Sequence, residues 1–273
     1  MRAVVYETPQ PISAATSLID VELPKPIASR RDLLVEVKAV SVNPVDTKVR
    51  LSRRPEPGQY VQLGYDASGI VREAGPEVTL FKPGDEVFYA GVINRPGTNA
   101  EFHLVDERIV GRKPKSIGFA EAAALPLTSI TAYETLFDRL RIKDPVPGAA
   151  KAVLIIGGAG GVASMAVQLT RQLTDLIIIA TASRPETSDW IKTLGAHHVI
   201  DHAKPLAPQV AELGIGAPGL VFSTTHSGRH AADAVQLMAA QGRYAIIDDP
   251  KEFDAKLFKY KAISIHWESM LTR

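Results

Sequence analysis

Ile155-Ile156-Gly157-Gly158-Ala159-Gly160-Gly161-Val162-Ala163-Ser164 is the stretch on which the reading of the fold turns. The apolar run Ala152 to Ile156 leads into it. Val162, Met165, Ala166, Leu169 and Leu173 follow at the spacing of one helical face. A short apolar run, a glycine-rich break and an amphipathic helix form the opening of a βαβ unit. Gly158, Gly160 and Ala163 fit the spacing G-x-G-x-x-[G/A] of a dinucleotide-binding turn. In that reading Gly158 allows the tight turn, Gly160 lets a pyrophosphate approach the backbone, and Ala163 lets helix and strand pack closely. The backbone of Gly158, Ala159, Gly160, Gly161 and Val162 then offers N–H groups at the positive end of a helix dipole. A glycine pattern alone is weak evidence, and a purely structural turn is the competing reading. The strand–turn–helix context and the βα units that follow favour a nucleotide. Residues 152–170 carry no charge and are long enough to span a bilayer, but the four glycines divide them into a strand and a separate helix, which predicts a soluble segment.

Outward from this turn the chain has two textures. From 126 to 273 apolar runs alternate with helical patterns: Leu176 to Ala180, the helix marked by Trp190, Ile191 and Leu194 and stopped by Gly195, the short run His198 to Asp201, Leu220 to Ser223, the helix marked by Ala231, Ala234, Val235 and Met238 and ended by Gly242, then Tyr244 to Ile247 and Ala262 to His266. Near-continuous apolar strands between helices predict a doubly wound parallel sheet covered on both faces. Residues 1–125 are rich in proline and in short alternating runs such as Leu34-Val35-Glu36-Val37-Lys38-Ala39-Val40, punctuated by Asn43-Pro44, Gly75-Pro76 and Lys82-Pro83-Gly84-Asp85. That texture predicts a mostly-β domain, a partly open barrel. Between the two, Ile130, Tyr133, Leu136, Phe137 and Leu140 recur at helical spacing, with Thr128 or Ser129 as the expected cap.

Composition narrows the function. Lys+Arg 31 against Asp+Glu 30 leaves a net charge of +1, which gives no general field for nucleic acid or an anionic membrane. Cysteine is absent, so disulfides, iron–sulfur clusters, thiolate nucleophiles and cysteine zinc sites are excluded. Hydrophobic residues at 45% match an ordinary globular protein. The N-terminus reaches Glu7 before any apolar core of signal-peptide length, and with the missing cysteines this predicts a cytoplasmic protein.

The choice of nucleotide is made at the end of the second strand, where an acid would hold a ribose 2′-OH. The sequence there is Thr181-Ala182-Ser183-Arg184-Pro185, with no acid before the proline. Ser183 can donate to a phosphate and Arg184 can pair with it, which favours NADP. The competing reading leaves Arg184 a solvated charge.

These features resemble the medium-chain dehydrogenase/reductase superfamily, and within it the zinc-free quinone oxidoreductase branch that includes chains called zinc-type alcohol dehydrogenase-like. The resemblance rests on Ser41-Val42-Asn43-Pro44-Val45-Asp46, Gly64-Tyr65-Asp66-Ala67-Ser68-Gly69-Ile70-Val71, Phe81-Lys82-Pro83-Gly84-Asp85-Glu86-Val87, Ala122-Ala123-Ala124-Leu125-Pro126 and the glycine loop. It implies a GroES-like first domain, a Rossmann second domain and a C-terminal return to the first domain; with the sequence ending at Arg273, the expectation is either a fragment of a longer chain or a lost tail. Zinc-dependent relatives carry Cys where Asn43 stands and a His-Glu pair where Tyr65-Asp66 stand, so the resemblance implies no metal site here. Without a Lewis acid, hydride transfer from NADPH to a quinone or an α,β-unsaturated carbonyl is the expected reaction, in a cleft between the domains. The alternatives are a 2-alkenal or enone reductase, and a non-catalytic NADPH-binding protein.

Asn43 is expected to hold a ribose hydroxyl or a substrate oxygen, or else to form the turn before Pro44. Tyr65 is expected to donate a proton or to serve as an aromatic wall. Asp46 either binds the nicotinamide side or buttresses the loop, and Thr128 and His202 are cofactor contacts by resemblance. Asp66 and Asp85 read as structural. Residues 259–268 alternate as an edge strand, with Ile263, Ile265 and Trp267 on one face, and predict a homodimer through that edge.

Overall fold

The computed structural model describes residues 1–272. The chain divides into two compact units, Met1–Leu127 and Thr128 onward. The first unit is built from short antiparallel strands. They are β1 (Arg2–Tyr6), β2 (Ile19–Glu22), β3 (Asp32–Ser41), β4 (Val61–Gln62), β5 (Asp66–Ala74), β6 (Glu86–Ala90), β7 (Phe102–Asp106) and β8 (Val110–Arg112). A three-stranded sheet runs β2-β1-β4 and a five-stranded sheet runs β7-β3-β5-β6-β8. Leu33, Val35, Ala67, Val71, Val87 and Val105 form a core on the larger sheet. The alternation expected along residues 34–40 is broken. The register of β3 against β5 shifts at Leu34/Val35 and again at Val37/Ala39. Leu33, Leu34 and Val35 are therefore buried in succession, while Val40 is exposed.

Three helices belong to the connections: α1 (Pro44–Ser52), α2 (Phe119–Ala123) and α3 (Pro126–Tyr133). Two of them start on the same carboxylate. Asp66 opens β5 and is fully buried. Its Oδ1 accepts the backbone N–H of Leu127 in the first turn of α3 at 2.8 Å, and its Oδ2 accepts the Nδ2 of Asn43, the N-cap of α1, at 2.8 Å. Helix α3 therefore begins at Pro126, not at a cap formed by Thr128 or Ser129. Proline has no N–H to satisfy at a first helical position, and the next N–H is held from a strand distant in sequence. Burial pushes the Asp66 carboxyl up to about 6, against the two hydrogen bonds that favour the charged form. Beyond Tyr133 the helix passes into a π turn at Glu134–Arg139. The wider turn rotates the buried face onto Ala132, Leu136 and Leu140, and Tyr133 is left half exposed.

In the second unit strands and helices alternate: β9 (Ala150–Ile156), α4 (Gly161–Leu173), β10 (Ile177–Thr181), α5 (Pro185–Leu194), β11 (His198–Ile200), α6 (Leu206–Glu212), β12 (Pro218–Ser223), α7 (Ser227–Leu237), β13 (Arg243–Ile246) and β14 (Ser264–Trp267). The six strands are parallel, in the order β11-β10-β9-β12-β13-β14. Alternate residues of each strand enter opposite cores. Val153, Ile155, Ile178, Ala180 and Phe222 pack with Ala163, Val167 and Ile191 of α4 and α5. Leu154, Ile156, Ile179, Val221 and Tyr244 pack with Leu206, Val210, Ala231 and Ala234 of α6 and α7. Burial on both faces explains why these strands read as continuous apolar runs. The strand order reverses between β9 and β12, and the glycine-rich turn leaves β9 at that switch point.

Several details depart from the sequence pattern. Helix α6 was not expected, because Pro208 interrupts its apolar spacing. Helix α7 ends at Leu237, before Gly242. Gly195 caps α5 at φ +113° as expected, and Trp267 on the edge strand β14 is half exposed, against the edge of Phe253, while Ile263 is buried.

The raised Asp66 carboxyl fixes the sign of a pH effect. Its folded value lies above the ordinary Asp value, so the stability it contributes is complete in acid below that ordinary value and is lost as pH rises through about 6. Relative to Asp66→Asn, the wild type should lose about 2 kcal/mol of unfolding free energy between pH 4 and pH 7. Urea unfolding at stepped pH measures this, and parallel profiles for the two proteins would refute it.

Candidate functional site

The turn between β9 and α4 uses its glycines for three different reasons. Gly157, not Gly158, closes the turn in the left-handed region at φ +80°, and a Cβ there would stand 2.6 Å from Thr224 Oγ1. Gly158 has no positive φ. A Cβ on it would lie 2.8 Å from Ile191 Cδ1 and 3.0 Å from Ala180 Cβ, so packing against α5 requires its glycine. Gly160, the N-cap of α4, has φ −68° and ψ 162°, a conformation open to any residue. A Cβ on Gly160 would meet only the Gly157 carbonyl, at 3.4 Å. Neither backbone nor protein packing demands glycine there; a side chain would fill the space before the helix N-terminus. Gly161 faces Thr128, whose Cγ2 would stand 3.2 Å from an added Cβ, and Ala163 is fully buried.

Hydrogen bonds hold this turn in place. Gly157 N–H donates to Thr181 Oγ1 at 2.9 Å, Gly158 N–H to the Thr181 carbonyl at 3.0 Å, and Gly160 N–H to the Gly157 carbonyl at 3.0 Å. The helical ladder starts with Ser164 N–H donating to Gly160 at 2.8 Å. The N–H groups of Gly161, Val162 and Ala163 precede that bond, as first-turn donors do. They form a cradle for an anion on the helix axis.

Next to the cradle, β10 ends at Thr181. Ser183 and Arg184 follow and are both exposed. Arg184 is the N-cap of α5, and its carbonyl accepts Ser188 N–H at 3.0 Å and Thr187 Oγ1 at 2.8 Å. The backbone of Arg184 is thus fixed while its guanidinium stands in solvent. His202, just beyond β11, is half-buried and bonds through Nδ1 to Thr181 Oγ1 at 3.0 Å.

The sequence pattern assigns no cofactor role to Thr181, Thr224, His226 or His230. Thr224 Oγ1 donates to the Ile156 carbonyl at 2.8 Å, beside the glycine turn. His226 adopts φ +51°, a left-handed conformation unusual for its type, and its Nδ1 lies 2.8 Å from Thr225 Oγ1. His230 is buried and stands edge-on to His202 with ring centroids 6.4 Å apart. Burial, then the charges of Arg229, His202 and His226, hold its imidazole below the ordinary value, so it is neutral at pH 7. The available signal was position: each of these residues lies at or just beyond the C-terminal end of a strand, except His230, which lies one helical turn later.

The first unit brings together Asn43, Asp46 and Tyr65. Asp46 Oδ2 accepts Asn43 N–H at 2.8 Å and its Oδ1 accepts Gly64 N–H at 2.9 Å. Both oxygens of this buried carboxylate therefore tie the start of α1 to the residue before Tyr65. Burial raises the Asp46 carboxyl, opposed by those backbone donors. The Nδ2 of Asn43 is engaged by Asp66, so its amide tethers the loop in this geometry. Tyr65 is 4% exposed. Burial and then the Asp46 charge raise its phenol, with Arg53 opposing, so it is a protonated donor at neutral pH. Among the described residues no three His, Asp or Glu side chains are grouped to hold a metal ion, and no helix is long and apolar enough to cross a membrane.

Comparison with known proteins agrees with this architecture. Residues 29–132 match the family model for the alcohol dehydrogenase GroES-like domain, and residues 161–267 match that for zinc-binding dehydrogenase. A zinc-type alcohol dehydrogenase-like protein of Staphylococcus aureus is 40% identical over the whole chain and 81% of its own length. The NADPH-dependent alkenal/one oxidoreductase of Arabidopsis thaliana chloroplasts is 35% identical over 63% of the chain and 45% of its own length. Among solved structures, a Rhizobium etli protein described as a zinc-dependent alcohol dehydrogenase is 67% identical, with a TM-score of 0.98 over 100% of this chain and 80% of that one. The quinone oxidoreductase of Pseudomonas syringae is 25% identical, with a TM-score of 0.81 over 98% of this chain and 81% of that one. A GroES-like unit of antiparallel strands, a parallel sheet with its glycine cradle at the switch point, and these relatives together make the chain an oxidoreductase of the medium-chain dehydrogenase/reductase superfamily, in its quinone oxidoreductase branch.

Proposed function

We propose that the chain binds NADPH at the glycine turn and reduces a quinone or an α,β-unsaturated carbonyl without zinc. The observation that carries this reading is Gly160. Its backbone conformation suits any residue and its surroundings would accept a Cβ, so neither backbone angle nor packing requires glycine there. A ligand lying on the N–H groups of Gly161, Val162 and Ala163 does, because a Cβ would displace a pyrophosphate from them. The nicotinamide supplies the hydride when bound. The protein's part is to hold the dinucleotide, orient the acceptor and stabilise the anion that forms on it.

Selection of the phosphorylated dinucleotide falls to Ser183 and Arg184. Both are exposed at the end of β10, and the Arg184 backbone is anchored by α5. Tyr65, kept protonated by burial, is the proton donor to the reduced acceptor, and Asn43 and Asp46 fix the loop that carries it. Zinc has no evident seat. The chain has no cysteine, and Asn43 and Tyr65 stand where zinc-dependent relatives carry ligands. The acceptor class is supported by the quinone and alkenal/one reductases among the relatives.

Gly160→Val should stay folded, losing about 1 kcal/mol at the helix N-cap, yet weaken NADPH at least about tenfold, since the branched side chain enters the space before the helix N-terminus. A calorimetric titration beside a melting curve checks this, and a folded variant with unchanged affinity would remove the main support for the reading. Arg184→Ala should weaken NADPH roughly ten- to a hundredfold and leave NADH nearly unchanged, because one charge-assisted phosphate contact is lost. Equal losses for both dinucleotides would show that Arg184 does not read the phosphate. With a panel of quinones and enones the purified protein should oxidise NADPH at a rate insensitive to chelators. Tight NADPH binding with no turnover on any acceptor would instead mark a non-catalytic binding protein.

A further inference from the structure

Thr181 is 0% exposed, so it cannot touch a bound molecule. It nevertheless grips the glycine turn twice, through its hydroxyl to Gly157 and through its carbonyl to Gly158. The same hydroxyl oxygen lies 3.0 Å from His202 Nδ1. A threonine hydroxyl has one proton to give and two lone pairs to receive. The Gly157 N–H can only donate, so it takes one lone pair. Two arrangements remain for the contact with His202. If Nδ1 carries the ring proton and donates, the hydroxyl accepts twice and its own proton is left buried without a partner, a costly state. If Nδ1 accepts, the hydroxyl proton goes to it, Gly157 takes the lone pair, and every group is satisfied. The ring proton then sits on Nε2.

We propose that Thr181 is a positioning residue for dinucleotide binding: its buried hydroxyl locks the Gly157 turn to a His202 imidazole fixed in the Nε2–H form. The relay runs from Gly157 N–H to Thr181 O–H to His202 Nδ1 and joins β9, β10 and the loop after β11 at the switch-point end of the sheet. The Thr181 side chain faces inward and serves the turn, and reading of the ligand is left to Ser183, Arg184 and the free Nε2–H of His202. The inference rests on the nucleotide reading of the glycine turn, and it assigns Thr181 to the part of the ligand that all dinucleotides share.

Thr181→Val removes the hydroxyl at nearly constant volume and keeps the carbonyl bond to Gly158. It should weaken NADPH and NADH by the same factor, about tenfold, while Thr181→Ser retains wild-type affinity for both. A melting curve reports whether the Val variant is folded. In ¹⁵N spectra of the wild-type imidazoles, His202 should appear as the Nε2–H form without any ligand. A folded Val variant that binds both dinucleotides like the wild type would overturn the proposal and leave the nucleotide reading intact. So would a loss confined to NADPH, an equal loss in the Ser variant, or an Nδ1–H signal for His202. A wild type that binds neither dinucleotide would overturn the nucleotide reading and the proposal together. If the Val variant does not fold, the tautomer and the Ser variant still decide.

Discussion

A buried helix end must have its N–H groups satisfied, and in the first unit a single carboxylate does this for α3 while it also holds the side chain of the residue that opens α1. Asp66 takes the Leu127 N–H of α3 on one oxygen and the Asn43 amide at the start of α1 on the other. Its own backbone carbonyl accepts the Thr98 hydroxyl at 3.1 Å. The position of the loop that carries Asn43 and Asp46 therefore follows from a strand residue, and the position of Tyr65 follows because it is the next residue in the chain. The arrangement is costly, since the carboxylate is desolvated, and its titration is raised toward 6 even with two hydrogen bonds favouring the charged form. A second carboxylate, Asp46, uses the same device with backbone donors at both oxygens.

The second unit solves the same problem by a different route. Its strands are buried on both faces, so their backbone groups pair along the sheet and their side chains fill two separate cores. Polar groups concentrate where the strands end. At the switch point Thr181 holds the Gly157 N–H and Thr224 the Ile156 carbonyl, beside the first-turn donors of α4. The glycines divide the labour: one for backbone conformation, one for helix packing, one for open space. Only the last points to a ligand, and it is the one whose surroundings make no demand on the chain.

Asn43 spends its side-chain amide on Asp66, and Tyr65 is packed to near-complete burial. The loop is held by hydrogen bonds between its own residues and the strand behind it, so its geometry is fixed by the fold.

The division of the chain, the alternating βα texture after residue 126 and the glycine turn could be read from sequence because each rests on local periodicity and small-residue spacing. The apolar runs of β9, β10 and β12 identified a sheet buried on both sides, and the stop at Gly195 followed from its left-handed conformation. Tertiary structure alone decided the start of α3, because its capping partner lies 61 residues away on β5. It decided which glycine bends the turn, since Gly157 and Gly158 are indistinguishable in a string and differ in the folded chain in backbone angle and in what Thr224 and Ile191 place against them. It also decided the roles of Thr181 and His202, which are 21 residues apart in the chain and meet only when parallel strands bring their C-terminal ends side by side. Local sequence sets periodicity and turn chemistry; contacts between distant residues depend on register and packing, which exist only in the folded chain.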